Sequence, residues 1–213
     1  MSLKDVYGIA QLVARNTVSI GASLSHVHVP GRTVADGSAT DLKESEVEIG
    51  MGIHNEPGSE RKTTDLPGLV ITMLAHCLDT SDTDRNFLEI SSTDEVVLLV
   101  NNLGGVSVLE LGGIVTEVVE QLKKTWKIKP VRILAGTFMT SLNGNGFSIS
   151  LLKTADTGLG AGLSMLNLLD AKAEATGWNV ALSTAIWNKG PDSGAAAEDL
   201  TTEAAQPSNL RSS

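Results

Sequence analysis

The chain has 213 residues, of which 41% are hydrophobic and 19% charged, so it can bury a sizeable core. Acidic residues outnumber basic ones by 25 to 16. The net charge of −9 argues against a nucleic-acid-binding protein, because phosphate contacts need clustered Lys and Arg. No apolar run reaches the ~20 residues of a membrane-spanning helix. The single cysteine, Cys77, excludes an intramolecular disulfide and, without a targeting signal, predicts a cytoplasmic protein.

Composition divides the chain into a folded body and a tail. Residues 189–213 are rich in Ala, Ser, Thr, Gly and acidic residues. Such a segment buries too little apolar area to offset the entropy lost on ordering it. We therefore predict a folded body over 1–188 and a flexible linker over 189–213. Because a linker implies a further domain, we expect the chain to be a piece of a longer protein.

Hydrophobic periodicity predicts three elements in the first part of the body. Apolar residues over 5–22 recur at helical spacing. Strict alternation over 46–53 predicts a half-buried strand with Glu46 and Glu48 on its solvent-facing side. Residues 65–78 resemble a second helix with a proline in its first turn.

The second part of the body contains further strands and helices. The apolar run 95–100 predicts a central strand, and Ser107 with the acidic residue at 110 has the spacing of a capping box that begins a helix. Two more strands are predicted at 130–138 and 147–152. The last predicted elements are a helix over 159–175 and a strand near 179–184.

The order of these elements predicts the fold class. Strands that alternate with helices allow parallel pairing, whereas the short connection before 147–152 requires an antiparallel pair if its two strands are neighbours. We therefore predict an α/β fold with two layers, a mixed sheet of about six strands and helices on one face.

The most unusual stretch is Glu48–Gly58, EIGMGIHNEPG. Its alternating strand loses its side chains at Gly50 and Gly52 and then presents His54. Glycines on one strand face leave room for another group to approach the backbone closely. His54 could act on a ligand there, or could merely hydrogen-bond a turn carbonyl, and the local pattern favours neither.

Glycine-rich turns at two places are weaker candidates. Asn101–Gly105 lies between a strand and a helix, where backbone amides can hold an anion, but it lacks the lysine of a P-loop. A tight turn is the favoured interpretation. Gly158–Gly162 does not have the glycine spacing of a dinucleotide-binding fingerprint.

The remaining histidines and the cysteine are also weak candidates. His26 and His28 could point the same way on a strand, as a metal-binding pair does, but no third ligand is evident. His76 and Cys77 lie on an apolar helix and are expected to pack in the core. No metal site and no cofactor site is therefore predicted in this chain.

The stretch around His54 resembles the GIHxEPG motif of dihydroxyacetone kinases, in the C-terminal part of their substrate-binding (DhaK) domain. Further similar segments follow in the family's order at Leu98–Gly104, Gly136–Asn143 and Gly146–Leu152. The resemblance covers roughly 5–188, and the motif residues are most similar to those of fungal, single-chain, ATP-dependent members.

The resemblance implies a role for His54 and a reaction for the parent enzyme. The matching histidine of the family adds to the ketone carbon of dihydroxyacetone and forms a hemiaminal. The parent enzyme is expected to phosphorylate dihydroxyacetone, with glyceraldehyde as a further substrate, and to form a homodimer. ATP and Mg²⁺ bind a separate domain, and the catalytic acid and base belong to the preceding half of the substrate domain. Both parts are absent from this chain, so the isolated chain is expected to be inactive.

Three alternatives stay open from the sequence. A relative that depends on phosphoenolpyruvate would take its phosphate from a partner phosphoprotein. Some single-chain relatives also cyclise FAD. Related folds outside the enzymes bind fatty acids or act as regulators.

Overall fold

Six β-strands and four α-helices make up the described part of the chain. A computed structural model describes residues 1–27, 42–52, 56–142 and 144–178. The strands are β1 (Thr17–Ser23), β2 (Glu46–Ile49), β3 (Glu60–Thr63), β4 (Val96–Asn102), β5 (Arg132–Gly136) and β6 (Gly146–Lys153). The helices are α1 (Leu3–Arg15), α2 (Leu66–Leu78), α3 (Val108–Gln121), which continues as a π-helical turn over Leu122–Trp126, and α4 (Met165–Leu169).

The strands form one mixed sheet in the order β3-β2-β1-β6-β4-β5. Strands β4 and β5 pair in parallel, and the other neighbouring strands pair antiparallel. Although β5 and β6 follow each other in the chain, β4 lies between them, so they are not neighbours. Their connection crosses the end of β4, where the side chain of Asn101 accepts the amides of Phe138 and Met139. The predicted α/β fold with a mixed sheet of about six strands is confirmed.

Helices α2 and α3 pack on one face of this sheet and form the core with it. Alternate strand residues point toward the helices because successive side chains of a strand face opposite sides. Each helix contributes buried residues that recur at helical spacing along one of its faces. The buried residues of this core include Val18, Ala22, Leu69, Val70, Met73, Leu74, Val96, Leu98, Val100, Leu111, Val118, Phe147, Ile149 and Leu151.

The opposite face is covered at its β5 edge by the segment that contains α4. Arg132 begins β5 and lies beside the core residue Ile133, so its side chain points away from α2 and α3. Its guanidinium donates to Asp170 at the end of α4, with N–O distances of 2.7 and 3.0 Å. Both side chains are 6% exposed. Met165, the first residue of α4, is also buried. A buried ion pair therefore joins the C-terminal segment to the sheet.

The capping box predicted for α3 is present. The hydroxyl of Ser107 accepts the amide of Glu110 at 3.2 Å, and the carboxylate of Glu110 accepts the amide of Ser107 at 2.9 Å. We expect Ser107→Ala to lower the free energy of unfolding by about 1 kcal/mol, because it removes the N-cap acceptor. The control is Thr116→Ala on the exposed face of the same helix, which should be neutral or slightly stabilising because Ala favours helix. Urea denaturation measures both, and equal effects would contradict the prediction.

The helix predicted over 5–22 is only partly correct. Helix α1 ends at Arg15, and residues 17–23 form β1 instead. Asn16 ends the helix, since its amide and its side-chain nitrogen both donate to the carbonyl of Leu12. The next residues pair with β6 along the whole of β1. Sheet pairing therefore overrides a helical periodicity that the sequence carries through residue 22.

The strand predicted over 46–53 ends at Ile49, because Gly50 turns the chain with a φ of +79°. The chain then returns through β3, which sequence patterning missed because its residues, ERKT, are polar throughout. The predicted exposure of Glu48 is wrong, since this residue is only 2% exposed. The β2–β3 pair thus buries a carboxylate that simple alternation assigned to solvent.

The C-terminal part of the body contains less helix than predicted. Of the predicted helix over 159–175, only α4 forms. Gly158, Gly160 and Gly162 have positive φ, which a right-handed helix does not allow. The strand near 179–184 and the boundary at 188 lie outside the described residues and stay predictions. Across the part of the chain that the structure describes, helices are too short or too polar to cross a membrane.

Candidate functional site

A pocket of about 240 Å³ lies on the sheet face opposite α2 and α3. Strands β1 and β6 form its floor, because their alternate residues face away from the helices. Its walls come from the chain after β2 and from the segments that follow β4 and β5. The lining residues are Ser19, Ile20, Gly21, Ser23, Val27, Met51, Gly52, Leu103, Met139, Ser141, Gly144, Ser148 and Ser150.

Serine hydroxyls are the polar side chains of this lining. Ser19 and Ser150 lie directly opposite each other on β1 and β6, and their Oγ atoms are 2.6 Å apart. Gly21 lies opposite Ser148 in the same register, so the floor has a bare backbone position beside a hydroxyl. A hydroxyl can both donate and accept hydrogen bonds. The floor therefore suits a small ligand that carries hydroxyl groups.

The pocket lining, as far as the structure describes it, carries no charged side chain. Serine and the apolar residues present do not titrate near neutral pH, so these lining residues provide no general acid or base. The lining can hold and orient a neutral ligand. Proton transfer would need groups that are not among these lining residues.

The segment that carries His54 begins and ends beside this pocket. His54 and its two neighbours lie outside the described residues, so its role stays a prediction. The amide of Gly50 donates to the carbonyl of Gly21 in the pocket floor at 2.8 Å. The amide of Gly52, which lines the pocket, donates to the carbonyl of Glu56 at 3.1 Å. The chain therefore leaves the pocket wall at Gly52 and returns to the same residue at Glu56.

Glu48 supports the base of this segment. Its buried carboxylate accepts the amide of Gly58 at 2.6 Å, lies 2.9 Å from Arg61 and lies 3.1 Å from Nε2 of His26. Burial raises the pKa of Glu48, but the Gly58 hydrogen bond, the His26 contact and the Arg61 charge together hold that pKa below its usual value. The stabilisation from Glu48 is therefore present above its unfolded pKa and is lost as pH falls through its folded pKa.

The Asn101–Gly105 turn is not arranged as an anion site. The amides of its last three residues donate to the carbonyls of Gly146 and Gly144 and to the side chain of Asn102. These three amides are therefore not available to bind a phosphate group. The structure therefore agrees with the tight-turn interpretation of this segment.

The contacts of the other described candidate residues indicate structural roles. His26 contacts Glu48, and His28 lies outside the described residues. Within the described ranges, no cluster of His, Cys, Asp or Glu could hold a metal ion. His76 and Cys77 lie on α2, where burial raises the pKa of the Cys77 thiol to about 12. Cys77 is therefore a packing residue rather than a nucleophile.

Comparison with known proteins places these observations in a family. The family model described as the Dak1 domain matches residues 1–177. The chain belongs to the Dak1 domain family. It is 47% identical to a dihydroxyacetone kinase of Komagataella pastoris, over 86% of this chain and 31% of that protein. It is 44% identical to a dihydroxyacetone kinase of Pichia angusta, over 87% of this chain and 32% of that protein.

A solved structure of related sequence is similar in fold to this chain. It is the dihydroxyacetone kinase from C. freundii in complex with AMP-PNP and Mg²⁺, with 29% identity and a TM-score of 0.56. The match covers 72% of this chain and 26% of that one. This Dak1 chain therefore spans about a third or less of the length of these three relatives.

The described residues of the Dak1 chain do not fit a nucleotide with its magnesium ion. The turn most able to hold phosphate has its amides bonded internally, and no carboxylate cluster is available for a divalent cation in the described ranges.

Sequence patterning missed two parts of this Dak1 site. The serine floor was hidden because β1 was assigned to a helix, although Ser148 and Ser150 alternate with core residues of β6 and could have been recognised as a polar strand face. The Glu48–Arg61 ion pair was missed because β3 carries no apolar pattern. Neither part has a local signal as strong as the GIHNEPG motif.

Proposed function

We propose that this Dak1 chain supplies the histidine-bearing part of the substrate site of a dihydroxyacetone kinase. The observation that carries the proposal is the uncharged, serine-lined pocket whose wall leads directly into the segment of His54. Dihydroxyacetone is a small neutral ketone with two hydroxyl groups, which matches a pocket of about 240 Å³ floored by hydroxyls. The names of the fungal relatives support the same substrate.

His54 would capture the substrate covalently. In the neutral imidazole, the lone pair of the distal ring nitrogen adds to the ketone carbon, and the carbon–oxygen π bond breaks. The carbonyl oxygen becomes a hydroxyl by taking up a proton, and the ring loses its own N–H proton to solvent, so charge balances. No water leaves in this addition. The adduct fixes a flexible triose so that its terminal hydroxyl faces one direction for phosphoryl transfer.

The whole protein would transfer the phosphoryl group from ATP with Mg²⁺, bound in a domain outside this chain. The solved relative in complex with AMP-PNP and Mg²⁺ supports this donor. The acid and base for transfer would also come from outside the chain, because the described pocket lining is uncharged. Glyceraldehyde, which has a carbonyl, would be a further substrate. We place this kinase in the cytoplasm as a homodimer.

The alternatives have less support. A fatty acid would need a long apolar tunnel, whereas this pocket is small and carries five serines. The Komagataella pastoris and Pichia angusta relatives are named as kinases, which favours kinase activity over a regulatory role. Dependence on phosphoenolpyruvate and FAD cyclisation have no supporting observation in the described residues.

The test of this proposal is adduct formation by the full-length product of the gene. We expect dihydroxyacetone to add its full mass to the protein in native mass spectrometry, because the addition releases no water. NMR of dihydroxyacetone labelled at the ketone carbon should show a tetrahedral carbon in place of the ketone signal. Glycerol is the matched control ligand, since it has no carbonyl for His54 to attack. Equal binding of glycerol and dihydroxyacetone, or a bound ketone signal, would contradict the proposal.

A further inference from the structure

Glu48 is a buried carboxylate that the proposed reaction does not use. Its side chain is 3% exposed, although it lies on the strand face that alternation assigns to solvent. Removing a carboxylate from water is costly unless hydrogen bonds and opposite charges compensate it. The compensation here comes from three directions: the Gly58 amide, the Arg61 guanidinium and the His26 ring.

These partners surround the base of the segment that carries His54. Glu48 lies next to the last residue of β2, and Gly58 lies two residues before β3 begins. At Gly58 a Cβ would come within 2.5 Å of the carbonyl oxygen of Ile49 and 2.8 Å of the Glu48 side chain, so only glycine allows this close approach. The amide of Ser59 also donates to the carbonyl of Ile49 at 2.8 Å. The two ends of the segment are therefore held together at Glu48.

We propose that Glu48 is a positioning residue for His54. Its carboxylate holds Gly58 and Arg61 on the returning side of the segment, and His26 on the chain that leaves β1, without contacting the substrate itself. The inference rests on the proposed function, because it assigns Glu48 a role in aligning the nucleophilic ring with the serine-lined pocket.

Alignment has a large effect on a covalent addition. The ring nitrogen must meet the ketone carbon at a near-attack distance, and a displacement of about 1 Å can slow such a step by about 100-fold. The hydrogen bonds of Gly50 to Gly21 and of Gly52 to Glu56 hold the segment at the pocket side. The Glu48 contacts hold it at the β3 side, so both sides must be in place for one fixed geometry.

The experiment compares Glu48→Gln with Glu46→Gln in the full-length gene product. Both substitutions remove one negative charge from β2, but Glu46 contacts the amide of Lys43 away from the segment. We expect Glu48→Gln to slow formation of the dihydroxyacetone adduct by about 10- to 100-fold. Amide hydrogen exchange at Gly52, Gly58 and Ser59 should become faster, whereas exchange in β4 and β6 stays unchanged. Glu46→Gln should behave as the unsubstituted protein in both measurements.

A second variant covers the case in which Glu48→Gln does not fold. Arg61 is partly exposed at 36%, so Arg61→Gln removes the cation while leaving the carboxylate and its Gly58 hydrogen bond. We expect it to change the same amides and the same rate, by a smaller factor. Faster exchange spread over the whole sheet in both variants would indicate a general stabilising role and would overturn the inference.

The outcomes separate this inference from the proposed function. An adduct that forms at the original rate in Glu48→Gln, or unchanged exchange at Gly52, Gly58 and Ser59, overturns the positioning role. If the unsubstituted protein forms no adduct, the proposed function fails and so does the role in catalysis. The exchange measurement then still decides whether Glu48 holds the segment.

Discussion

Replacement of His54 by alanine is expected to abolish the covalent dihydroxyacetone adduct. The alanine side chain has no lone pair to add to the ketone carbon. The hydroxyl groups in the described pocket lining all belong to serines, which are poor nucleophiles without an adjacent base. The substituted protein should bind dihydroxyacetone, if at all, as an intact ketone. Phosphorylation of dihydroxyacetone by the full-length gene product should fall with the adduct, because the captured substrate loses its alignment.

The matched control for this prediction is His76→Ala. His76 lies on α2, and its Nδ1 is buried without a hydrogen-bond partner in the described residues, so its removal leaves no bonded group unpaired. We expect this variant to keep the adduct and the kinase activity. Native mass spectrometry and carbonyl-labelled NMR compare the two variants with the unsubstituted protein. Retention of a covalent adduct in His54→Ala would exclude His54 as the nucleophile.

The second large effect is expected from Asp170→Ala. This change removes the carboxylate that pairs with the buried guanidinium of Arg132. The hydrogen bonds to Asp170 are the largest cause of the raised pKa of Arg132. Breaking a buried pair by removing one partner costs about 3–5 kcal/mol, because the remaining charge stays in a poorly solvated position. Urea denaturation should show this loss, and near-ultraviolet circular dichroism should report loosening of the segment around Trp178.

Two further variants make this prediction specific. Asp82 pairs with Arg85 at the same N–O distance of 2.7 Å, but on the surface, so Asp82→Ala should cost much less. The double change Arg132→Met with Asp170→Leu should recover most of the stability, because it replaces the buried charges by apolar side chains. A double variant as unstable as Asp170→Ala would show that packing, rather than removal of the Asp170 carboxylate from Arg132, accounts for the loss.

Several elements could be predicted because their signals are local. The N-cap of α3 forms between Ser107 and Glu110, and α2 begins within one residue of its prediction because Asp65 caps it and Pro67 suits its first turn. The continuous apolar run of β4 correctly indicated a central strand. Such features depend on residues a few positions apart, so no tertiary partner is needed to recognise them.

Other elements could not be predicted because their partners are distant in sequence. Residues Thr17–Ser23 carry a helical periodicity and become a strand only because β6 pairs with them, more than a hundred residues later. The polar strand β3 forms because its backbone pairs antiparallel with β2. Both depend on backbone hydrogen bonds between segments, which side-chain patterning within one segment does not report.

By itself, the sequence determined the family and the α/β class, because the GIHNEPG stretch and the order of similar segments are written in consecutive residues. It also singled out His54 on the same ground. The chain spans about a third of the length of the two fungal dihydroxyacetone kinases that it matches.

Only the tertiary structure decided what surrounds the motif. The serine floor exists because β1 and β6 are neighbours, and the burial of Glu48 exists because Gly58, Arg61 and His26 converge on it. The sequence places these groups on separate segments and cannot give the distances between them. The free energy of each contact depends on those distances and on exclusion of water, which arise only when the chain folds.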